Sequence, residues 1–248
     1  MTNDSWVLQT VRDGLIIIFT STPFQLSLPK SVRMGERQAR ICDEEVNSLV
    51  KKGATVVVED RSDGFYSSLF VIPKKLGRLR PIINLKPLNQ FHFFLFFILF
   101  EHFKMEGIET LREIVRPGDV MVSLDLKDAY LAVPIAPSHQ KYLRFIWRGV
   151  HYQFTCLPFG LGPAPRVFTK LLRPVVGHLR SQGIRLVIYL DDILILNKNA
   201  ESVKRDMDTS VNLLQKLGFP INWKKSETEP SQEITYLGLK MFFHMFFL

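Results

Sequence analysis

The chain predicts a mixed α+β fold in the split βαβ arrangement, an antiparallel sheet with two helices on one face. Three observations predict it. Between residues 120 and 239, leaving aside an inserted hairpin at 142–156, apolar runs of strand length alternate with two stretches of helical periodicity, in the order strand, helix, strand, strand, helix, strand. The two central runs, 186–190 and 193–196, are separated only by Asp191 and Asp192, as the arms of a hairpin would be. At 46% hydrophobic and 23% charged, 248 residues are enough for a packed core and too apolar for a disordered chain.

Taken in order, residues 1–40 show no sustained periodicity. They hold Pro23 and Pro29, end in the basic group Lys30, Arg33, Arg37 and Arg40, and are expected to form an extended N-terminal extension. A helix is expected from about Asp43, with Glu44 and Glu45 in its first turn, Val46, Leu49 and Val50 on one face, and Lys51, Lys52 and Gly53 closing it. Residues 55–58, 65–73 and 81–85 read as strands, the last two around a turn at Leu76 and Gly77. This region, 41–118, carries a Phe-rich insertion at 91–100; a second Phe-rich tract occupies 241–248. Together the stretches 91–103 and 242–247 hold 11 of the 20 phenylalanines. Neither tract reaches the roughly 20 residues of a membrane-spanning helix. Both a packed insertion and an exposed, association-prone patch are open for 91–100.

In the region 119–240, residues 120–124 read as a buried strand ending at Asp125, and 142–156 as a hairpin turning at Arg148 and Gly149. Ala164, Val167, Phe168, Leu171, Leu172, Val175 and Leu179 mark a helix that opens near Pro163 and Pro165 and is expected to bend at Pro174. After the central hairpin, Val203, Met207, Val211, Leu214 and Leu217 mark a second helix, stopped by Gly218 and Pro220. Residues 233–239 are expected to supply the last strand.

The net charge of +8 is unevenly spread. From Ala129 to Leu190 there are 62 residues without an acid, yet they hold Lys141, Arg144, Arg148, Arg166, Lys170, Arg173, Arg180 and Arg185. A second acid-free stretch contains Lys74, Lys75, Arg78, Arg80 and Lys86. A single basic run is usually a solvated face; the two together point to a polyanionic partner. Asp125 and Asp128 border the long stretch on one side, Asp191 and Asp192 on the other. Carboxylates clustered amid basic surroundings suit phosphate chemistry only when divalent cations neutralise them, which leads to metal-assisted phosphoryl transfer as a hypothesis. In the split βαβ topology the strand end at Asp125 and the tip at Asp191 are neighbours, so they could share two ions. Paired aspartates are also a common turn solution, and Asp125 could be a strand-end cap. Cys42 and Cys156, 114 positions apart, fit neither a zinc cluster of paired cysteines nor a disulfide scaffold, and imply a reducing, intracellular setting, cytoplasmic or nuclear.

Six motifs decide between these readings. Tyr189-Leu190-Asp191-Asp192 resembles the YxDD motif of reverse transcriptases, and Ser123-Leu124-Asp125-Leu126-Lys127-Asp128-Ala129-Tyr130 the motif of their first catalytic aspartate. Leu157-Pro158-Phe159-Gly160-Leu161 resembles their LPFG motif in its LTR-retrotransposon form. Leu217-Gly218-Phe219 with Lys225-Ser226, then Tyr236-Leu237-Gly238, resemble the two motifs that follow, and the stretch 78–89 resembles the fingers motif upstream. All six occur in family order over residues 44–239, with wording in 126–130 and 164–168 closest to DIRS-like retrotransposons.

The resemblance implies an RNA-directed DNA polymerase domain with fingers over 41–118 and a palm over 119–240. It implies Asp125, Asp191 and Asp192 as catalytic carboxylates holding two Mg²⁺, or Mn²⁺ in their place, with the Leu126 carbonyl as an added ligand. It further implies that Tyr130 stacks under the incoming sugar and selects deoxynucleotides, and that Lys74 and Arg80 grip the triphosphate. Asp128, Ala129, Phe159 and Gly160 would complete the nucleotide pocket, and Lys225 would serve as proton donor to the leaving group or as a plain surface lysine. Tyr189, Tyr236, Leu237 and Gly238 would hold the primer end. The implied partners are an RNA or DNA template with its primer, deoxynucleoside triphosphates, and other retroelement products such as RNase H, a recombinase or an integrase, with no membrane. The sequence departs from the pattern at its two Phe-rich tracts, and the second stands where a thumb is expected, so the fold expected is fingers and palm with the thumb absent. An inert nucleic-acid-binding remnant is the alternative; a membrane-surface protein built on the phenylalanines is a distant third.

Overall fold

The computed structural model describes residues 2–59, 63–73, 79–89, 97–99 and 101–242. Lys74, the turn at Leu76 and Gly77, residues 91–96 and 100 of the Phe-rich insertion, and residues 243–248 lie outside them. In chain order come helices α1 (Ser5–Asp13) and α2 (Glu36–Lys51), strands β1 (Thr55–Val57), β2 (Tyr66–Pro73) and β3 (Leu79–Asn84), and helices α3 (Lys86–Asn89) and α4 (Ile108–Ile114). Strand β4 (Val120–Asp125), a 3₁₀ turn (Ala129–Ala132), helix α5 (Pro137–Gln140) and strands β5 (Arg144–Trp147) and β6 (Val150–Phe154) follow. The chain continues through α6 (Ala164–Ser181), β7 (Arg185–Tyr189), β8 (Asp192–Asn197), α7 (Ala200–Lys216), β9 (Glu227–Ser231), β10 (Glu233–Tyr236) and β11 (Leu239–Phe242).

These elements form two compact units. One takes Asp4–His102 and Val133–Ala164, the other Phe103–Ala132 and Pro165–Leu248 together with Met1–Asn3. The first holds a five-stranded sheet in the order β1-β6-β5-β2-β3, so the expected hairpin β5–β6 is built into the sheet of this unit. Its turn is Arg148-Gly149, both at positive φ (47° and 77°), the geometry that matches strand twist in two-residue hairpins. Asp43 fastens that turn, accepting from Trp147 Nε1 at 2.8 Å and from Arg148 at 2.7 Å.

Residues 1–40 are more ordered than an extended lead-in. Asp4 caps α1 by accepting from the Trp6 and Val7 N–H groups, and Gly14 ends it at φ 90°. A Cβ there would sit 2.4 Å from the Ala136 nitrogen, so the chain passes too close to residue 136 for any side chain. Helix α2 also begins seven residues before Asp43, at Glu36, where Gln38 Oε1 accepts from Gly35 N–H. Basic residues mask this first turn in the sequence, although Arg40 and Glu36 form an i,i+4 pair on its exposed face. The described end of the Phe-rich insertion is packed: Phe97 is buried edge-on against Phe24 and Phe65, and its carbonyl accepts from Thr20 N–H.

The second unit carries a four-stranded antiparallel sheet in the order β7-β8-β4-β9. With α6 after β4 and α7 after β8, this is the split βαβ topology. Its fourth strand differs from the expectation. β9 lies beside β4, whereas Glu233–Tyr236 pairs with β11 in a separate hairpin turning at Leu237 and Gly238. The stretch ETEPS has no apolar alternation to announce a strand; at the sheet edge its Pro230 is tolerated, and the register slips between Met121 and Ser123. Met121, Val187, Leu194 and Leu196 form one buried face with Leu111, Ile234 and Tyr236, while α7 packs against β4, β8 and β9. Helix α6 runs through Pro174 as one 18-residue element.

Candidate active site

Strand pairing alone assembles the acidic centre. Asp125, the last residue of β4, lies directly opposite Asp192, the first of β8, and Asp192 in turn lies opposite Tyr189, the last of β7. Leu190 and Asp191 form the two-residue turn between them. Leu190 holds φ at 56°, a left-handed conformation that costs a leucine about 1–2 kcal/mol and is kept where function constrains the backbone. Leu126 N–H donates to the Asp191 carbonyl at 2.8 Å, which ties the turn to the segment after β4.

The loop between α7 and β9, which carries Lys225, completes the centre. Asn222 Nδ2 donates to Asp125 Oδ1 at 2.7 Å, Lys225 Nζ lies 3.0 Å from Oδ2, and Ser226 Oγ accepts from Asp125 N–H. Backbone bonds hold the same loop, Asn222 N–H to the Asp125 carbonyl and Lys127 N–H to the Pro220 carbonyl. Asn222, three positions before Lys225, is thus a site residue that no motif named, while Ser226 was quoted beside Lys225 in its motif without a role.

The electrostatics follow from three carboxylates in a small space. Burial raises the Asp191 carboxyl above its ordinary range, and Asp125 pushes it the same way while Lys225 pulls it back. Burial raises Asp192 too, aided by repulsion from Asp191 and Asp125 and again opposed by Lys225. The Tyr130 hydroxyl is pushed up to about 12, first by burial and then by Asp191 and Tyr189, so it stays protonated at neutral pH. Its ring meets Phe168 edge-on, and Phe168 meets Phe219 likewise. Tyr236 is buried, its hydroxyl donates to the Asp192 carbonyl at 3.3 Å, and burial raises its pKa as well.

The donor set suits a hard divalent cation. Carboxylate and carbonyl oxygens are what such ions take, and a bound cation would offset the burial and mutual repulsion that raise Asp191 and Asp192. Among the described residues no three acidic, histidine or cysteine side chains close into a ready ligand group; Asp125 spends both oxygens on Asn222 and Lys225.

The remaining expected residues fall in different places. Asp128 sits at φ 52° and its carbonyl accepts from Leu131 N–H, opening the 3₁₀ turn that buries Ala129 and Tyr130. Leu237 and Gly238 are the turn of the β10–β11 hairpin, at φ 51° and 78°. Arg80, Phe159 and Gly160 belong to the other compact unit. There Arg80 is exposed on β3 opposite Ile72, and Phe159 is exposed. Gly160 holds φ 94°, and Asn89 spans its loop, donating to the Gly160 carbonyl and accepting from Gly162 N–H, both at 2.8 Å. Lys74 lies outside the described residues.

An antiparallel sheet of order β7-β8-β4-β9 with acids at the adjoining ends of its two central strands defines a palm-type fold. The family described as reverse transcriptase (RNA-dependent DNA polymerase) matches residues 72–241, and the chain belongs to that family. Among curated proteins it is 29% identical over 206 residues to the transposon Tf2-3 and Tf2-4 polyproteins of Schizosaccharomyces pombe. Those matches cover 82% of the chain and only 14% of each polyprotein. Among solved structures it resembles the foamy viral protease-reverse transcriptase in complex with double-stranded DNA, with a TM-score of 0.76 and 21% identity over 92% of this chain and 37% of that one. The same viral protein in complex with an RNA/DNA hybrid gives a TM-score of 0.74 at 20% identity, covering 92% of this chain and 28% of that one. Among the described residues, no helix is long and apolar enough to cross a membrane.

Proposed function

We propose that the chain is the polymerase domain of a retrotransposon, an RNA-directed DNA polymerase that adds deoxynucleotides to a primer 3′-hydroxyl. The observation that carries this is the register of the palm sheet, which sets Asp125 opposite Asp192 with Asp191 in the intervening turn. Family membership and a fold shared with a viral enzyme solved on DNA and on an RNA/DNA hybrid support it.

Asp125, Asp191, Asp192 and the Leu126 carbonyl would hold two Mg²⁺ ions. Bound there, such ions lower the pKa of the attacking hydroxyl and neutralise the charge of the leaving oxygens. The 3′-oxygen forms its bond to the α-phosphorus as the bond to pyrophosphate breaks. Tyr130, with its ring fixed against Phe168, sits under the incoming sugar and excludes a 2′-hydroxyl. Lys74 and Arg80 would pair with the triphosphate, and Asp128, Ala129, Phe159 and Gly160 would each contact the nucleotide. Lys225 donates to the departing pyrophosphate. Tyr189 and the Tyr236, Leu237 and Gly238 hairpin hold the primer end beside the carboxylates. Partner products of the same element, such as RNase H, a recombinase or an integrase, fit a chain that spans 14% of the polyproteins it matches.

The test is incorporation of a labelled deoxynucleotide on a primed RNA template and on a primed DNA template, after chelation and after Mg²⁺ is restored. Incorporation on the RNA template that vanishes with chelator and returns with Mg²⁺ is expected. Incorporation indifferent to chelation, or confined to the DNA template, contradicts the proposal.

A further inference from the structure

Asp125 makes a contact that competes with metal ligation, because an ammonium and a divalent cation on the same carboxylate repel each other. Its Oδ2 lies 3.0 Å from Lys225 Nζ and its Oδ1 accepts from Asn222, so a carboxylate that is only 10% exposed has both oxygens engaged. The two donors are anchored differently. Asn222 is fixed by its backbone, since its N–H donates to the Asp125 carbonyl, its own carbonyl accepts from Ser226 Oγ, and Ile221 beside it bridges Leu126. Lys225 reaches in from solvent with 63% of its side chain exposed, so the pair is cheap to break. Asn222 supplies geometry without charge; Lys225 supplies the positive charge, and it offsets Asp191 and Asp192 as well as its direct partner.

We propose that Lys225 is a resident counter-cation of the carboxylate cluster, paired with Asp125 while no divalent ion is present and displaced from it when one binds. The inference rests on the reading of Asp125 as a metal ligand. It explains how three acids stay together in the metal-free fold, and it makes the ammonium available to a leaving pyrophosphate only once the metal site is filled. Displacement lowers the affinity for the metal, because each binding event must first break the ion pair.

Titration with Mn²⁺, read from the electron paramagnetic resonance signal of the free ion, tests it alongside thermal unfolding with and without Mn²⁺. Lys225→Gln should bind Mn²⁺ at least about threefold more tightly than the parent chain. Its metal-free form should melt lower, and Mn²⁺ should raise its melting temperature more. Lys224→Gln removes the same charge from the next exposed position and should leave the affinity unchanged. Equal affinity in the parent and Lys225→Gln, or equal tightening in both lysine variants, overturns the proposal. Equal Mn²⁺ binding by the parent and Asp191→Asn removes the metal site itself and overturns the functional reading along with it.

Discussion

Burial makes Asp191 a carboxyl that resists ionisation. Its folded-state pKa is raised by burial, so the native state binds a proton more tightly than the unfolded chain does. Stability contributed by the protonated form is present below the ordinary carboxylate value and is lost as the pH rises through the raised one. Asp191→Asn removes that loss. The metal-free variant should therefore melt higher than the parent at pH 7, and the difference should shrink and vanish as the pH falls below the ordinary aspartate range, which thermal scans across pH would show. Tyr130 carries the second expectation at this scale. It is 8% exposed and braced by Phe168, so Tyr130→Ala should open the space under the sugar and reduce discrimination against ribonucleotides by on the order of 10- to 100-fold, read from the ratio of kcat/KM values. Both residues were legible in the sequence because the motifs name them. Asn222 was not, and Ser226 was named without a role, since the site uses them through a loop whose path from 217 to 227 only the fold reveals.

Strand β7 stands at the edge of the palm sheet, where its outward backbone groups need partners. A side-chain pair supplies them. Glu106 and Arg180 join in two contacts of 2.8 Å; Arg180 also donates to the Leu186 carbonyl, and Glu106 accepts from Ile188 N–H, one residue before Tyr189. This bracket holds the strand that leads into the Leu190-Asp191 turn. Glu106→Ala should cost about 1–2 kcal/mol in urea unfolding and should lower kcat more than it raises KM, because the turn loses its brace while the nucleotide contacts remain. The elements themselves were legible to differing degrees. The central hairpin and the helices α6 and α7 announce themselves by period, with stripes such as Val203, Val211 and Leu214 facing the core. β9 does not, because an edge strand of Glu, Thr and Pro is specified by its neighbour β4 and not by its own sequence. α1 was missed for its nine-residue length, though Asp4 and Gly14 mark both of its ends.

Across the whole molecule the charge reads differently in three dimensions. Of the eight cations in the acid-free stretch, at least five are committed to partners from inside or outside it: Lys141 to Asp63, Arg144 to Gln153, Arg148 to Asp43, Arg180 to Glu106 and Arg185 to Asp119. A run of residues without acids is therefore not a face without acids. Arg185 and Asp119 form a bidentate pair at 2.6 Å in which Asp119 is 2% exposed. Arg185→Ala should cost about 3–5 kcal/mol in denaturant unfolding, since it strands a buried carboxylate. It should leave unchanged the slope of duplex affinity against salt, which counts the cations that meet phosphate. What survives from the sequence-level charge argument is the placement of the aspartates at the ends of the basic stretch, because strand register joins those ends. The central claim is that this junction is a metal-dependent polymerase centre. The most direct test is single-nucleotide extension of a DNA primer on an RNA template at fixed Mg²⁺, by the parent chain and by Asp191→Asn. Extension by the parent and none by the variant is expected; equal extension by both, or by neither, would contradict the account.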